Sequence, residues 1–233
     1  MSGRDQILSS VRRQLKRGAA VGDRAASLEA GLQSPTANLI PARGQLDRAR
    51  RIELFVDMAK EAACSVVRLT RREDVPGAVA DYLKGENLPA SIRLAPDPAV
   101  TGLPWTAPPP VGRPMLEISQ GPSDGHDLAA LTPVFAGIAE TGTLMLVSGP
   151  ETPTTLNFLP DYHLVLVTGD QVVGSMEEGW GRLRARYGGG GMPRTVNFIT
   201  GPSRSGDIEQ KIQMGAHGPR KLHILLLDGE KAT

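Results

Sequence analysis

Residues 52–69 read Ile52-Glu-Leu-Phe-Val-Asp-Met-Ala-Lys-Glu-Ala-Ala-Cys-Ser-Val-Val-Arg-Leu69, and the change of period inside this stretch decides the fold class. Ile52, Phe55, Val56, Ala59 and Ala63 recur at three- and four-residue steps, the spacing that lays side chains along one face of a helix. From Ser65 the pattern becomes a short run, Ser65-Val66-Val67-Arg68-Leu69, with the length and β-branched content of a strand. A second helical pattern over 75–83 and a strand at 92–95 follow. Helix, strand, helix, strand with short connections argue for an α/β domain with parallel strands.

Further along, apolar runs at 134–139 and 143–147 flank Glu140-Thr141-Gly142, and two more lie at 164–167 and 171–173. Spacing this close predicts hairpin-like, antiparallel pairing beside the parallel strands. The pattern then predicts a helix over 176–187, a strand over 195–200, a helix over 207–214 and a strongly apolar last strand over 222–227. The expected architecture is α/β, a mixed and mostly parallel sheet covered by helices. Residues 96–114 carry seven prolines around Trp105, so this stretch is expected to be a long irregular loop crossing the surface.

In the other direction, Ile7, Leu8, Val11 and Leu15 share one narrow helical face, and Lys16-Arg17-Gly18 supply a basic last turn and a stop. Residues 18–44 show little periodicity. The expected organisation is therefore an N-terminal helical arm and linker over 1–44, a single main domain over 45–228 and a short tail over 229–233. An arm of this kind suits a partner or a second copy of the chain, a homo-oligomer, and equally suits folding back on its own domain.

Composition narrows the function. The chain has 233 residues, 26 Lys and Arg against 25 Asp and Glu, and a net charge of +1, which removes the bulk electrostatic argument for nucleic-acid or anionic-membrane binding. Cys64 is the only cysteine. It forms no disulfide within this chain and falls short of the four thiolates an iron–sulfur cluster usually takes. No apolar run approaches the length of a membrane span and 1–20 has no continuous apolar core, so a soluble, cytoplasmic protein is expected.

Three stretches carry candidate chemistry. Glu140 ends an apolar strand and meets a tight turn, where a general base, a nucleophile or a binding carboxylate is useful; a hairpin turn with Gly142 at an unusual φ and Glu140 merely solvated fits the same residues. Ser203-Arg204-Ser205 lies between a strand and a predicted helix. Two hydroxyls and a planar guanidinium at a helix start make an anion cradle, and Ser205 as an ordinary N-cap is the other reading. His217, in the Gly215-Ala-His217-Gly218-Pro219 loop, is a candidate acid–base group or a helix cap, and with His163 forms a candidate pair in space. His126 stands beside Asp124 and Asp127 without metal-ligand spacing, so no metal site is expected, and His223 inside the last strand reads as structural. The Glu140 turn, the 203–205 turn and His217 are expected to converge on one cleft.

Taken in order, A-E-T-G-T at 139–143, L-P-D-Y-H at 159–163, G-P-S-R-S-G-D-I-E at 201–209 and G-A-H-G-P at 215–219 resemble the LUD-domain family, specifically its lactate utilization protein C group. The resemblance covers roughly residues 45–228. It implies a fold similar to the NagB/RpiA/CoA-transferase-like group and a part in oxidising L-lactate to pyruvate beside two partner proteins that hold the iron–sulfur clusters. No cofactor is then expected on this chain itself. Glu140 sits where related CoA-transferase-like enzymes place a glutamate, with A-E-T-G in place of their S-E-N-G, and Ser205-Gly206 replaces a common Thr-Ala. Glu140 and His217 are the catalytic candidates. Thr141, Gly142, Thr143, His163, Ser203, Arg204 and Ser205 are the candidates for holding a small anionic ligand. Alternatives on the same fold are a free-standing CoA-transferase-like or cyclo-ligase-like enzyme and a non-catalytic regulatory or scaffold subunit.

Overall fold

The computed structural model describes residues 2–16, 22–33, 36–107, 113–188, 191–208 and 211–229. The chain divides into two units, Met1–Leu39 and Ile40–Thr233. The first contains helix α1 (Gly3–Gln14), opened by a capping box in which Ser2 and Asp5 bond each other's backbone, and helix α2 (Asp23–Gln33). Helix α2 lies in the stretch expected to be linker. Its three alanines and two leucines favour helix without a buried stripe, since Leu28 and Leu32 are exposed, and this is why hydrophobic periodicity does not reveal it.

The second unit starts with a short 3₁₀ turn (Ala42–Gly44) and helix α3 (Arg48–Glu61), N-capped by Asp47. It continues through β1 (Ser65–Leu69), α4 (Val75–Gly85), β2 (Ser91–Leu94), a one-turn α5 (Pro98–Thr101), β3 (Glu117–Gln120) and β4 (Ala129–Pro133). Next come β5 (Ala136–Ile138), β6 (Thr143–Val147), a short α6 (Thr155–Phe158), β7 (Tyr162–Thr168), β8 (Val172–Val173) and α7 (Met176–Tyr187). The last elements are β9 (Val196–Ile199), β10 (Arg204–Ile208), β11 (Lys211–Met214) and β12 (Lys221–Leu227).

The strands form two main sheets rather than one. Strands β1-β12-β7-β4-β2-β3 pair in that order, all parallel, and β8-β5-β6-β9 form a second sheet around the β5–β6 hairpin. Side chains of β12 alternate between the two faces of the six-stranded sheet: Leu225 and Leu227 pack with α4, while Leu222, Ile224 and Leu226 pack with α3 and the second sheet. Helix α7 covers the far side of the second sheet through Leu183, beside Ile138 and Met145.

Two expectations are corrected. Residues 207–214 are not a helix: β10 and β11 form an antiparallel hairpin with Arg204 opposite Met214 and Ser205 opposite Gln213. The backbone N–H of Gly215 donates to the carbonyl of Ser203 at 2.9 Å, so the ends of the segment meet, whereas an eight-residue helix would hold its ends about 12 Å apart. The proline-rich stretch is not wholly irregular either. Pro98 sits at the first position of α5, where its missing N–H costs nothing, and Asp97 caps the turn by accepting from the Ala99 N–H at 2.8 Å. Residues 108–112 of that stretch and 230–233 of the tail lie outside the described residues.

Candidate functional site

Backbone pairing carries Glu140 to its position: the N–H groups of Ala139 and Glu140 donate to the carbonyls of Val173 and Gly174, extending the β5–β8 pairing to the start of α7. There Glu140, 7% exposed, accepts the Met176 N–H on Oε1 at 2.7 Å. A carboxylate at a helix N-terminus satisfies an orphan N–H and complements the helix dipole. Ser175 adds a second cap on the Glu178 N–H at 3.3 Å, and Glu178 returns to the Gly174 N–H at 2.8 Å. Ser175-Met-Glu-Glu178 is a capping-box pattern, the signal in the sequence that marks this helix start.

The turn after Glu140 is pressed against α3. Gly142 has φ +64°, and a Cβ there would lie 2.4 Å from the Ala59 nitrogen, so only glycine fits. Thr141, Thr143 and Thr200 form a chain of hydroxyls, 2.7 Å from Thr141 to Thr143 and 2.6 Å from Thr143 to Thr200. Thr200, which sequence reasoning did not single out, thereby ties the 139–143 turn to the 201–205 segment.

Gly201, at φ +78°, approaches the Ala62 carbonyl so closely that a Cβ would lie 2.1 Å from its oxygen. The exposed Arg204 donates from Nη2 to the same carbonyl at 3.0 Å. Ala62 is the C-cap of α3, so the guanidinium sits at the negative end of the helix. Burial pushes the neighbouring Cys64 thiol up to about 11, against the opposing pull of the Gly201 N–H and the Arg204 charge.

Ser203 clamps the next loop with three bonds. Its N–H donates to the Pro219 carbonyl at 2.8 Å, its carbonyl accepts from Gly215 and its Oγ accepts the His217 N–H at 3.2 Å. Asp161, in the L-P-D-Y-H stretch, accepts the Arg220 N–H at 2.9 Å and pairs with the Arg220 guanidinium at 3.4 Å. The four stretches singled out in the sequence are thus linked in space, at the C-terminal ends of β5 and β9 and the N-terminal ends of β7 and β12.

The linked residues have different surroundings. His217 and Arg204 reach solvent, Ser203 and Ser205 are half-buried, and Ser205 belongs to β10 instead of a turn. Glu140 is spent on α7. His163 is fully buried on the α3 side of the six-stranded sheet, its Nε2 2.8 Å from Thr132 Oγ1, and burial pushes its pKa down to about 3. His163 is thus closed to solvent, whereas His217 is open to it. His126 is exposed, with its N–H bonded to Asp124 Oδ1 at 3.0 Å. Among the described residues no three His, Cys, Asp or Glu side chains gather as metal ligands, and no helix is long and apolar enough to cross a membrane.

Within this mixed α/β fold, the LUD domain model matches residues 128–227, the part that carries all four linked stretches. Lactate utilization protein C of Deinococcus radiodurans is 30% identical over 80% of this chain and 84% of its own length. That of Shouchella clausii is 34% identical over 39% of this chain and 40% of its own length, so this match spans less than half of that relative. A crystal structure of a DUF162 family protein from Deinococcus radiodurans shares the fold, with a TM-score of 0.56 and 24% identity over 78% of this chain and 99% of its own. The chain belongs to the LUD-domain family, in its lactate utilization protein C group.

Proposed function

We propose that this chain is a component of an L-lactate utilization system and takes part in oxidising L-lactate to pyruvate beside partner proteins that hold the iron–sulfur clusters. The observation that carries the reading is the hold of Ser203, next in sequence to exposed Arg204, on the exposed His217 loop, in a chain 30% identical to a lactate utilization protein C. Oxidising a 2-hydroxy acid releases two electrons and two protons. Arg204 holds the carboxylate with its forked donors and His217 takes the hydroxyl proton, while the C2 hydrogen leaves with its bonding electron pair, as a hydride, to a two-electron acceptor on the partners that feeds their clusters. With one cysteine, the sequence lacks the four-thiolate set that would keep those electrons on this chain. Glu140 supports the site from behind by fixing α7 to the 139–143 turn.

The test is reconstitution. The purified chain, given L-lactate and a dye acceptor, should turn over only after iron–sulfur proteins that co-purify with it from its own cell are added. His217→Asn or Arg204→Lys should then lower the reconstituted rate at least tenfold with little change in melting temperature. Robust lactate oxidation by the isolated chain, or full activity in both variants, would overturn the reading.

A further inference from the structure

Away from the linked loops, a cavity of about 630 Å³ opens on the α4 side of the six-stranded sheet. Its walls are Val67 and Leu69 of β1, Pro76 and Tyr82 of α4, Trp105 of the proline-rich stretch and Leu116 just before β3. Arg113 reaches across α4, with a two-pronged ion pair to Asp81 at 2.7 and 2.5 Å. It passes over Gly77, where a Cβ would lie 2.7 Å from Nη1. The volume falls within the range of small-molecule sites.

His223 faces this cavity from the middle of β12 and is 6% exposed. Its Nδ1 is held 2.7 Å from Ser65 Oγ and its ring stacks on Tyr82, centroids 4.0 Å apart. Its Nε2 is buried without a protein partner, and the Tyr82 hydroxyl, buried near Ser65, makes no hydrogen bond of good geometry. Polar atoms buried in this way are normally satisfied. Two unsatisfied polar atoms on stacked rings, in a wall that is apolar at Val67, Leu69, Trp105 and Leu116 and charged at Glu73, Asp74 and Asp81, are suited to orienting a ligand by one or two hydrogen bonds.

We propose that the cavity is a binding site for an uncharged planar ring compound bearing a hydroxyl or carbonyl oxygen, which His223 Nε2 and the Tyr82 hydroxyl bind while Trp105, Leu69 and Leu116 enclose the ring. The charge pattern excludes an anion such as a carboxylate. Arg113 is committed to Asp81, Arg68 to Glu53 and Asp228, and Glu73, Asp74 and Asp81 outnumber the two arginines around the cavity. Burial pushes the His223 imidazole down to about 4 and the Tyr82 phenol up, so both groups are neutral at pH 7. The Trp105 N–H is already bonded to the Val100 carbonyl at 2.7 Å, so the indole offers its apolar surface. This site is separate from the lactate reading, which concerns other loops and an anionic substrate.

Calorimetric titration of the full chain with 2-naphthol, and with naphthalene-2-sulfonate as the anionic comparison, tests the proposal. Expected are one 2-naphthol site per chain, at least tenfold weaker binding of the sulfonate, and at least tenfold weaker 2-naphthol binding in His223→Phe. Tyr82→Phe deletes one hydroxyl, retains the ring stack and should weaken binding several-fold, which decides the matter if His223→Phe does not fold. Equal or tighter binding of the sulfonate, wild-type affinity in Tyr82→Phe, or no binding of 2-naphthol up to millimolar concentration would each overturn the proposal.

Discussion

Gly142 shows how much one missing methyl group sets. Its positive φ and the 2.4 Å approach of a virtual Cβ to the Ala59 backbone mean that any side chain must push α3 away from the 139–143 turn. Gly142→Ala should cost at least about 1–3 kcal/mol in chemical unfolding. Gly85 provides the control, because it ends α4 at ordinary φ with open space around its Cβ position, and Gly85→Ala should be neutral or stabilising by up to about 1 kcal/mol. Equal losses in the two variants would show that the close approach at Gly142 does not matter. The sequence marks the turn through its glycine, but the neighbour that forbids a side chain lies some eighty positions away and only packing reveals it.

At the scale of single elements, the contest is between chemistry and capping. Glu140 and Arg204 are the residues that the motifs make most conspicuous, and the structure puts each at a helix end, Glu140 at the start of α7 and Arg204 at the end of α3. Glu140→Ala leaves the Met176 N–H buried without its acceptor and should lower stability by about 1–2 kcal/mol, with Glu140→Gln losing less because its side-chain oxygen still accepts. Exposed Arg204 should matter less, about 0.3–1 kcal/mol for Arg204→Ala in urea unfolding. An unchanged melting curve for Glu140→Ala would mean the carboxylate is not a working cap. Both caps join residues far apart in the chain, so nothing local distinguishes a capping glutamate from a catalytic one.

For the molecule as a whole, acid response follows from two histidines set on opposite faces of the six-stranded sheet, His163 toward α3 and His223 toward α4. Burial holds them near 3 and 4, well below the ordinary value of about 6.5 that they regain on unfolding. The unfolded chain therefore binds protons that the folded chain does not, and stability is full above about pH 6.5 and falls as pH drops toward those lower values. Each histidine should contribute a slope approaching about 1.4 kcal/mol per pH unit in that window. Unfolding free energies measured between pH 7 and 4.5 should fall steeply in wild type and less steeply in His163→Gln; parallel slopes would show that His163 is not buried neutral.

Local pattern was enough to place α3, β1, α4, β2, β6, β7, α7 and β12: α3 and α4 bury one face at helical spacing, and β6, β7 and β12 are short apolar runs buried on both faces. Motif order and spacing were enough to indicate the family. The β10–β11 hairpin was not legible: Ile208 and Ile212 repeat at a helical step, and the clamp of Ser203 on Gly215 and His217, which closes the segment's ends together, is a contact between loops. The division into two sheets was equally hidden, since strand order depends on which edges meet, and no strand's own residues name its neighbours. The character of His223 was decided by its neighbours too. A histidine in an apolar strand reads as structural, and only the packing of α4 and the proline-rich stretch beside it places its free nitrogen at a cavity wall.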